Sequence, residues 1–190
     1  GYELHRIFEV ALNNFALREF NRPGAWNDPD YIQIGWIAHP NDRFALQPAP
    51  LTPNECHAFM SLWCLMAAPL FYSGDLARLD EFTLSILCNP ELIEINQDPL
   101  GECGEVLGVP AETFVVVKRM EDGSRAIGLC NRDFQPRRIA VRWADLGLSG
   151  RQRVRDAWRG RDLGVFAEGY EAVVPERFVE VLRMWPDSTP

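Results

Sequence analysis

Two hydrophobic periods divide this chain. Up to about residue 97, apolar residues recur at helical spacing or gather in short runs; beyond it they alternate at every second position. Ile7, Phe8, Ala11, Leu12 and Phe15 fall at i, i+1, i+4, i+5 and i+8, which predicts an amphipathic helix over roughly residues 3–20. "NRPG" (21–24) ends it, and a short strand around residues 25–30 is expected next. The prolines of "HPNDRFALQPAPLTP" (39–53) predict a loop without regular structure. Thr52 then precedes Pro53 and stands three residues before Glu55, the N-cap, first-turn proline and capping box of a new helix. That helix should run to about Ala68, buried nearly all round because "FMSLWCLMAA" (59–68) has almost no polar face. "PLFYS" (69–73) reads as a buried strand, and "DEFTLSILCNPELIEIN" (80–96) as a helix that Pro90 kinks or divides. Strands alternating with helices imply parallel βα units. Two such units cannot cover both faces of a parallel sheet, so a larger α/β structure is expected around them.

In the second half, "TFVVVKR" (113–119) and "RAIGLCN" (125–131) flank "MEDGS", where Asp122-Gly123 signals a hairpin. "RRIAVRW" (137–143) sets Ile139, Val141 and Trp143 on one face and Arg138, Ala140 and Arg142 on the other. "RVRDAWRG", "GYEAVVP" and "RFVEVLRM" continue the rhythm of short strands and turns that indicates an antiparallel sandwich. The turn-rich "NQDPLGECG" (96–104) places the joint, giving expected units of 1–97 and 98–190.

Composition narrows the partners. With 190 residues, 47% hydrophobic, the chain can bury a sizeable core. Its 19 Lys+Arg against 27 Asp+Glu leave a net charge of −8, which argues against nucleic acid and anionic membrane surfaces. The longest apolar run, "LWCLMAAPLF" (62–71), is too short for a bilayer span. The opening "GYELHRIFEV" has no methionine, basic n-region or signal core, so an excised or mature segment is expected and no compartment is legible there. Five cysteines without CxxC pairing suggest buried free thiols. Scattered histidines without HExxH predict no metal site, and no cofactor is expected.

Candidate chemistry centres on "WNDPDYIQIG" (26–35), where Asp28 and Asp30 bracket Pro29. At a strand end the two carboxylates would share one side, Cα atoms about 7 Å apart, placed for acid–base work or for binding sugar hydroxyls. As a turn, the same residues would only bond nearby backbone N–H groups. Trp26, Tyr31 and Trp36 suit either stacking on the C–H face of a pyranose or packing in a core. Ser73 and Asp75 of "YSGDL" fit a site rim or an N-cap. No GxSxG elbow supports a serine nucleophile. The arginines of "RRIAVRW" and "RQRVRDAWRGRD" could form an anion strip, but their alternation with apolar residues favours a solvated sheet face.

"PGAWNDPDYIQIG", "SLWCLMAAPLFYSGDL" and "NPELIEINQDPLG", in this order and spacing, resemble the C-terminal part of glycoside hydrolase family 27, the melibiase group of α-galactosidases and α-N-acetylgalactosaminidases. "RVRDAWRGRDLGVF" is similar to the family's terminal β-domain. The resemblance implies an α/β fold: the C-terminal quarter of a (β/α)8 barrel, then an antiparallel β-sandwich. Residues 26–31 would end the seventh strand and 69–73 would form the eighth. It also implies a retaining reaction on terminal α-galactosides with two aspartates as nucleophile and acid/base. Both lie upstream of this chain, so no catalytic residue is expected within it, and the remainder of the barrel is expected from upstream chain. The family's "NDPD" transfers a substrate-binding role to Asp30, with Tyr31 on the pocket wall, and a structural turn to Asp28. Many members carry Met where Tyr31 stands, and loop 39–53 looks longer than in many relatives. Secretion or a periplasmic location is the family's usual setting. The alternative from another class is a non-catalytic sugar-binding or scaffold module, which an exposed aromatic platform on the β-domain would favour. Trp143, Trp158 and Tyr170 instead fall on strand faces that alternate toward a core.

Overall fold

The computed structural model describes residues 6–39 and 41–187, the side chains of 43 and 44 excepted. Helix α1 (Ile7–Ala16) turns Ile7, Phe8, Ala11 and Phe15 inward, as their spacing requires. A 3-10 turn at Arg18–Phe20 finishes it; the first residues of the expected helix lie outside those described. Helix α2 (Pro53–Leu65) starts as expected: the Thr52 hydroxyl accepts from the Glu55 N–H at 3.2 Å, and the Glu55 carboxylate accepts from the Thr52 N–H at 3.0 Å. From Phe59 to Ala68 every residue is buried. Pro90 divides the next segment into α3 (Glu81–Leu87) and α4 (Pro90–Asn96). Asp80 caps the first, and the Asn89 side chain accepts from the N–H groups of Glu91 and Leu92 at the start of the second.

Three expectations for this half are corrected. The strand around 25–30 does not form: Pro29 has no N–H to give a ladder, and Asp30 has φ 123°, outside the pleated region. "PLFYS" is neither a strand nor buried. What remains of two parallel strands is one bridge, Ile32 with Tyr72, in which the Ile32 N–H donates to the Phe71 carbonyl at 2.7 Å and the Ser73 N–H donates back at 2.9 Å. The supposed loop 39–53 carries a hairpin, β1 (Trp36–His39) with β2 (Asp42–Pro48). Prolines exclude strand interiors, but 42–47 contains none, and Pro48 ends the strand on an edge, where it withholds no needed donor.

The second half follows its period. A six-stranded antiparallel sheet runs β3 (Glu105–Leu107), β4 (Thr113–Arg119), β5 (Arg125–Asn131), β10 (Phe178–Pro186), β7 (Gln152–Asp156), β8 (Arg161–Phe166). The pair β6 (Arg137–Arg142) and β9 (Gly169–Val174) packs against it. The β4–β5 turn is the one expected at Asp122-Gly123, with Gly123 at φ 82°.

Unlike a sandwich sheet with one wet face, the large sheet is covered on both sides. Val179 and Val181 of β10, with Ala126 and Cys130 of β5, join the cluster built around α2. Phe178, Leu182 and Met184, with Ile127 and Leu129, face β6 and β9. Gly128 marks the closest approach: a Cβ there would sit 2.5 Å from Leu65 Cδ1. One hydrophobic cluster therefore runs from Phe8 through α2 into the sheet, and the turn-rich joint is no flexible linker. Asn89 reinforces it by donating to the carbonyls of Ala157 and Trp158, and Arg155 by pairing with Glu91 at 2.7 Å.

Lys118 lies on the α2-facing side of β4, 1% exposed, and its Nζ donates to the Ile95 carbonyl at 2.5 Å, at the C-terminal end of α4. Burial lowers this amine from 10.5 to about 8, against the pull of Asp98. Below about pH 8 both folded and unfolded states carry the proton; between about 8 and 10.5 only the unfolded state keeps it. Stability should thus rise with pH through that window, by up to about 1.4 kcal/mol per unit. The difference in unfolding free energy between wild type and Lys118→Met, measured from pH 7.5 to 10, is expected to carry this slope; a flat difference would refute it.

All five cysteines are free, four of them buried and Cys88 exposed. Burial pushes the Cys56 thiol up to about 11 and Cys103 to about 12, so neither is a ready nucleophile at neutral pH.

Candidate functional site

The Asp28–Asp30 turn is held from three directions. Asp28 Oδ1 accepts from the Asp30 N–H at 3.0 Å, the i to i+2 bond of an Asx turn. The Asp30 carbonyl accepts from the indole N–H of Trp63, inside α2, at 2.9 Å. Asp30 Oδ1 accepts from the Tyr31 N–H at 2.7 Å. Oδ2 has no hydrogen-bond partner among the described residues and is the oxygen a ligand could use. Two residues on, Ile32 makes the bridge to Tyr72.

The consequence is a strained backbone. A non-glycine φ of 123° costs on the order of 1–3 kcal/mol and persists only where its surroundings over-determine it. Trp63, Asp28 and the Ile32 bridge do that here. Asp28 and Asp30 each give one carboxylate oxygen to a backbone N–H and keep the other without a hydrogen-bond partner among the described residues; what sets Asp30 apart is its backbone, held at φ 123°.

Tyr31 is 55% exposed, as is Phe71, whose carbonyl receives the Ile32 N–H. Trp26 is also exposed. Trp36 is half-buried, with the Arg78 guanidinium 4.7 Å above its ring. Asp75 is an N-cap, its Oδ1 accepting from the Ala77 N–H at 2.9 Å; Ser73 serves through its backbone N–H instead.

Trp63 is the site residue that sequence reasoning missed. The sequence puts it in a buried helix, and a buried indole needs an acceptor for its N–H, which is the signal the sequence offers. Trp63→Phe keeps an aromatic ring but removes the N–H, stranding the Asp30 carbonyl, and leaves the volume of the lost pyrrole ring unfilled. A loss of about 1–3 kcal/mol in unfolding free energy is expected, and unchanged stability would show that the bond does not hold the turn.

The other candidates do not gather here. Arg138 pairs with Glu171 on an exposed face of β6 and β9, and Arg142 is exposed beside it, so this is a solvated sheet face. Trp143 is buried with its N–H on the Phe166 carbonyl, Trp158 donates to Ser61 Oγ, and the Tyr170 hydroxyl donates to Glu180. These three aromatics build no exposed platform. A cleft of about 650 Å³ opens elsewhere, between the end of α1 and the sheet, where Arg18 pairs with Glu105 and Arg119 with Glu102. Among the described residues no group of His, Cys, Asp or Glu could hold a metal ion, and no helix is long and apolar enough to cross a membrane.

Comparison with known proteins adds family to geometry. Residues 4–98 match the family described as "Alpha galactosidase A", and residues 111–184 match "Alpha galactosidase C-terminal beta sandwich domain". Alpha-galactosidase 3 of Arabidopsis thaliana is 34% identical over 171 residues, covering 87% of this chain and 36% of that protein. Alpha-N-acetylgalactosaminidase of Rattus norvegicus is 37% identical over 122 residues, covering 63% and 26%. The crystal structure of a family-27 β-L-arabinopyranosidase from Geobacillus stearothermophilus superposes with a TM-score of 0.86 over 98% of this chain and 42% of its own; at 22% identity the likeness is one of fold. The chain spans less than half the length of each of these relatives. With both matches in chain order, over the end of a (β/α)8 barrel and the sandwich that follows it, the chain belongs to glycoside hydrolase family 27, the melibiase group.

Proposed function

We propose that this chain forms part of a retaining glycoside hydrolase that cleaves terminal α-galactosides, residues 1–97 within its barrel and 98–190 as its β-sandwich. The observation that carries this reading is Asp30, held at φ 123° with one carboxylate oxygen that has no hydrogen-bond partner among the described residues. Strain of this kind gathers at binding and catalytic sites, and Asp30 occupies the position where the family resemblance puts a sugar contact. Asp30 accepts hydrogen bonds from galactose hydroxyls and Tyr31 walls the pocket. The two catalytic carboxylates, about 5 Å apart in a retaining enzyme, come from chain preceding this segment. Hydroxyl contacts at Asp30 hold the sugar at the reacting geometry and tighten as its ring flattens toward the oxocarbenium-like transition state.

The test compares this 190-residue chain with the protein extended N-terminally through the rest of the gene, on p-nitrophenyl α-galactoside and on its N-acetyl-α-galactosaminide counterpart. Turnover by the extended protein alone, with α-configured sugar released first, is the expected result. Activity of the short chain by itself would return Asp28 and Asp30 as the catalytic pair and overturn the assignment of roles.

A further inference from the structure

The β1–β2 hairpin breaks the alternation rule in an informative way. Ile37 is buried in the main core, so the side of the hairpin opposite Ile37 should be polar. Directly paired residues share a face, and the pairs on that outer side are Trp36 with Pro48 and Ala38 with Leu46. All four are apolar; Pro48, Ala38 and Leu46 are exposed, and Trp36 is half-buried. The Arg78 guanidinium, half exposed and paired with Asp75, lies 4.7 Å over the Trp36 ring.

This face is fixed to the candidate site. The Ala49 N–H closes the hairpin base on the Gly35 carbonyl at 2.7 Å, and the Asp75 N–H donates to the Trp36 carbonyl at 2.7 Å, joining the base to the chain that follows the Tyr72 bridge. The Tyr72 hydroxyl donates to the Ile34 carbonyl at 3.0 Å. Gly74 leaves the room for this: a Cβ there would meet the Tyr72 hydroxyl at 2.2 Å and the Trp36 carbonyl at 3.0 Å. The hairpin thus leaves the same Ile32–Tyr72 bridge that the Asp30–Tyr31 turn enters, where the loops of a barrel line its substrate site.

Building on the reading of Asp30 as a galactose contact, we infer that this face receives the leaving-group sugar of the substrate, with Trp36 and Leu46 against its C–H face and Arg78 donating to its hydroxyls. Continuity with the Asp30 turn selects this occupant. So does the mixture of apolar surface with a guanidinium lying 4.7 Å from the indole centroid, since a pyranose offers both an apolar face and hydroxyl acceptors.

The experiment uses the N-terminally extended protein and two substrates: α-galactosyl fluoride, whose leaving group is too small to reach the hairpin, and an α-1,6-linked galactosyl-glucose disaccharide. For Trp36→Ala, and separately for the exposed Arg78→Ala and Leu46→Ser, kcat/KM on the disaccharide is expected to fall ten-fold or more with Trp36→Ala and three-fold or more with the others. On the fluoride all three should stay within two-fold of wild type. Arg78→Ala and Leu46→Ser keep the test decisive if Trp36→Ala unfolds. Equal losses on both substrates, or no loss on either, would overturn the inference, the second outcome meaning that upstream chain covers this face. A wild-type protein that cleaves neither substrate would sink the reading of Asp30 itself.

Discussion

Asp30→Gly in the N-terminally extended enzyme is expected to melt at a higher temperature than wild type and to lose most of its activity. The two effects share one cause, a side chain kept where its backbone would be better without it. Glycine adopts φ 123° without steric cost, which releases on the order of 1–3 kcal/mol of strain against an entropic cost of about 0.5–1 kcal/mol; the exposed Tyr31 N–H that loses Oδ1 turns to water at little further cost. The net gain corresponds to a rise of a few degrees at most in a large protein. The carboxylate, however, is gone. Each hydrogen bond from a sugar hydroxyl to a charged acceptor contributes about 1.5–3 kcal/mol, so kcat/KM should fall about 10- to 100-fold for each such contact. Asp30→Asn separates the terms: it keeps the acceptor for the Tyr31 N–H and the strain, so its melting temperature should match wild type while activity still falls. Wild-type kinetics in either folded variant would remove Asp30 from the site.

That pairing of strain with function could not have been read from the chain alone, although much around it could. Thr52, Pro53 and Glu55 announce their helix because capping is local chemistry, decided within four residues. Pro90 divides its helix and Asp122-Gly123 turns its hairpin for the same reason. The alternation along β6 survives because one of its faces is wet. The errors fall where distant residues decide. "PLFYS" has strand composition and "WNDPD" does not, but in both cases a parallel ladder needs neighbours on both sides, and here pairing shrinks to one bridge. The hairpin at 36–48 was hidden by prolines that stand beside its strands or at their end. Asp30 and Tyr31 were singled out by resemblance to a family motif; why Asp30 is strained depends on Trp63, thirty-three residues away.

Local chemistry also meets long-range structure at Glu55, where the second large effect is expected. The carboxylate that closes the capping box of α2 also accepts from Arg177 Nε at 3.0 Å, and both side chains are less than a tenth exposed. Arg177 follows β9 at φ 51°, stacks 4.8 Å over Phe8 of α1 and donates to the Arg132 carbonyl. The pair therefore joins the two helices to the sandwich. Burial alone would raise the Glu55 carboxyl, but the Thr52 N–H and the Arg177 guanidinium outweigh it and hold it below its usual value. A depressed carboxylate stabilises the fold fully above its unfolded value near 4.5, and that contribution is lost as pH falls through the folded value. Glu55→Gln removes a carboxylate from beside a buried guanidinium and should cost about 3–5 kcal/mol at neutral pH, with a weakened acid limb in the stability profile. Arg177→Met should cost a similar amount by stranding the carboxylate. The double variant should cost clearly less than the sum, because each single variant already breaks the same pair. Equilibrium unfolding of the four proteins measures that coupling directly, and strictly additive losses would mean that the pair is a contact between the two halves but not a joint.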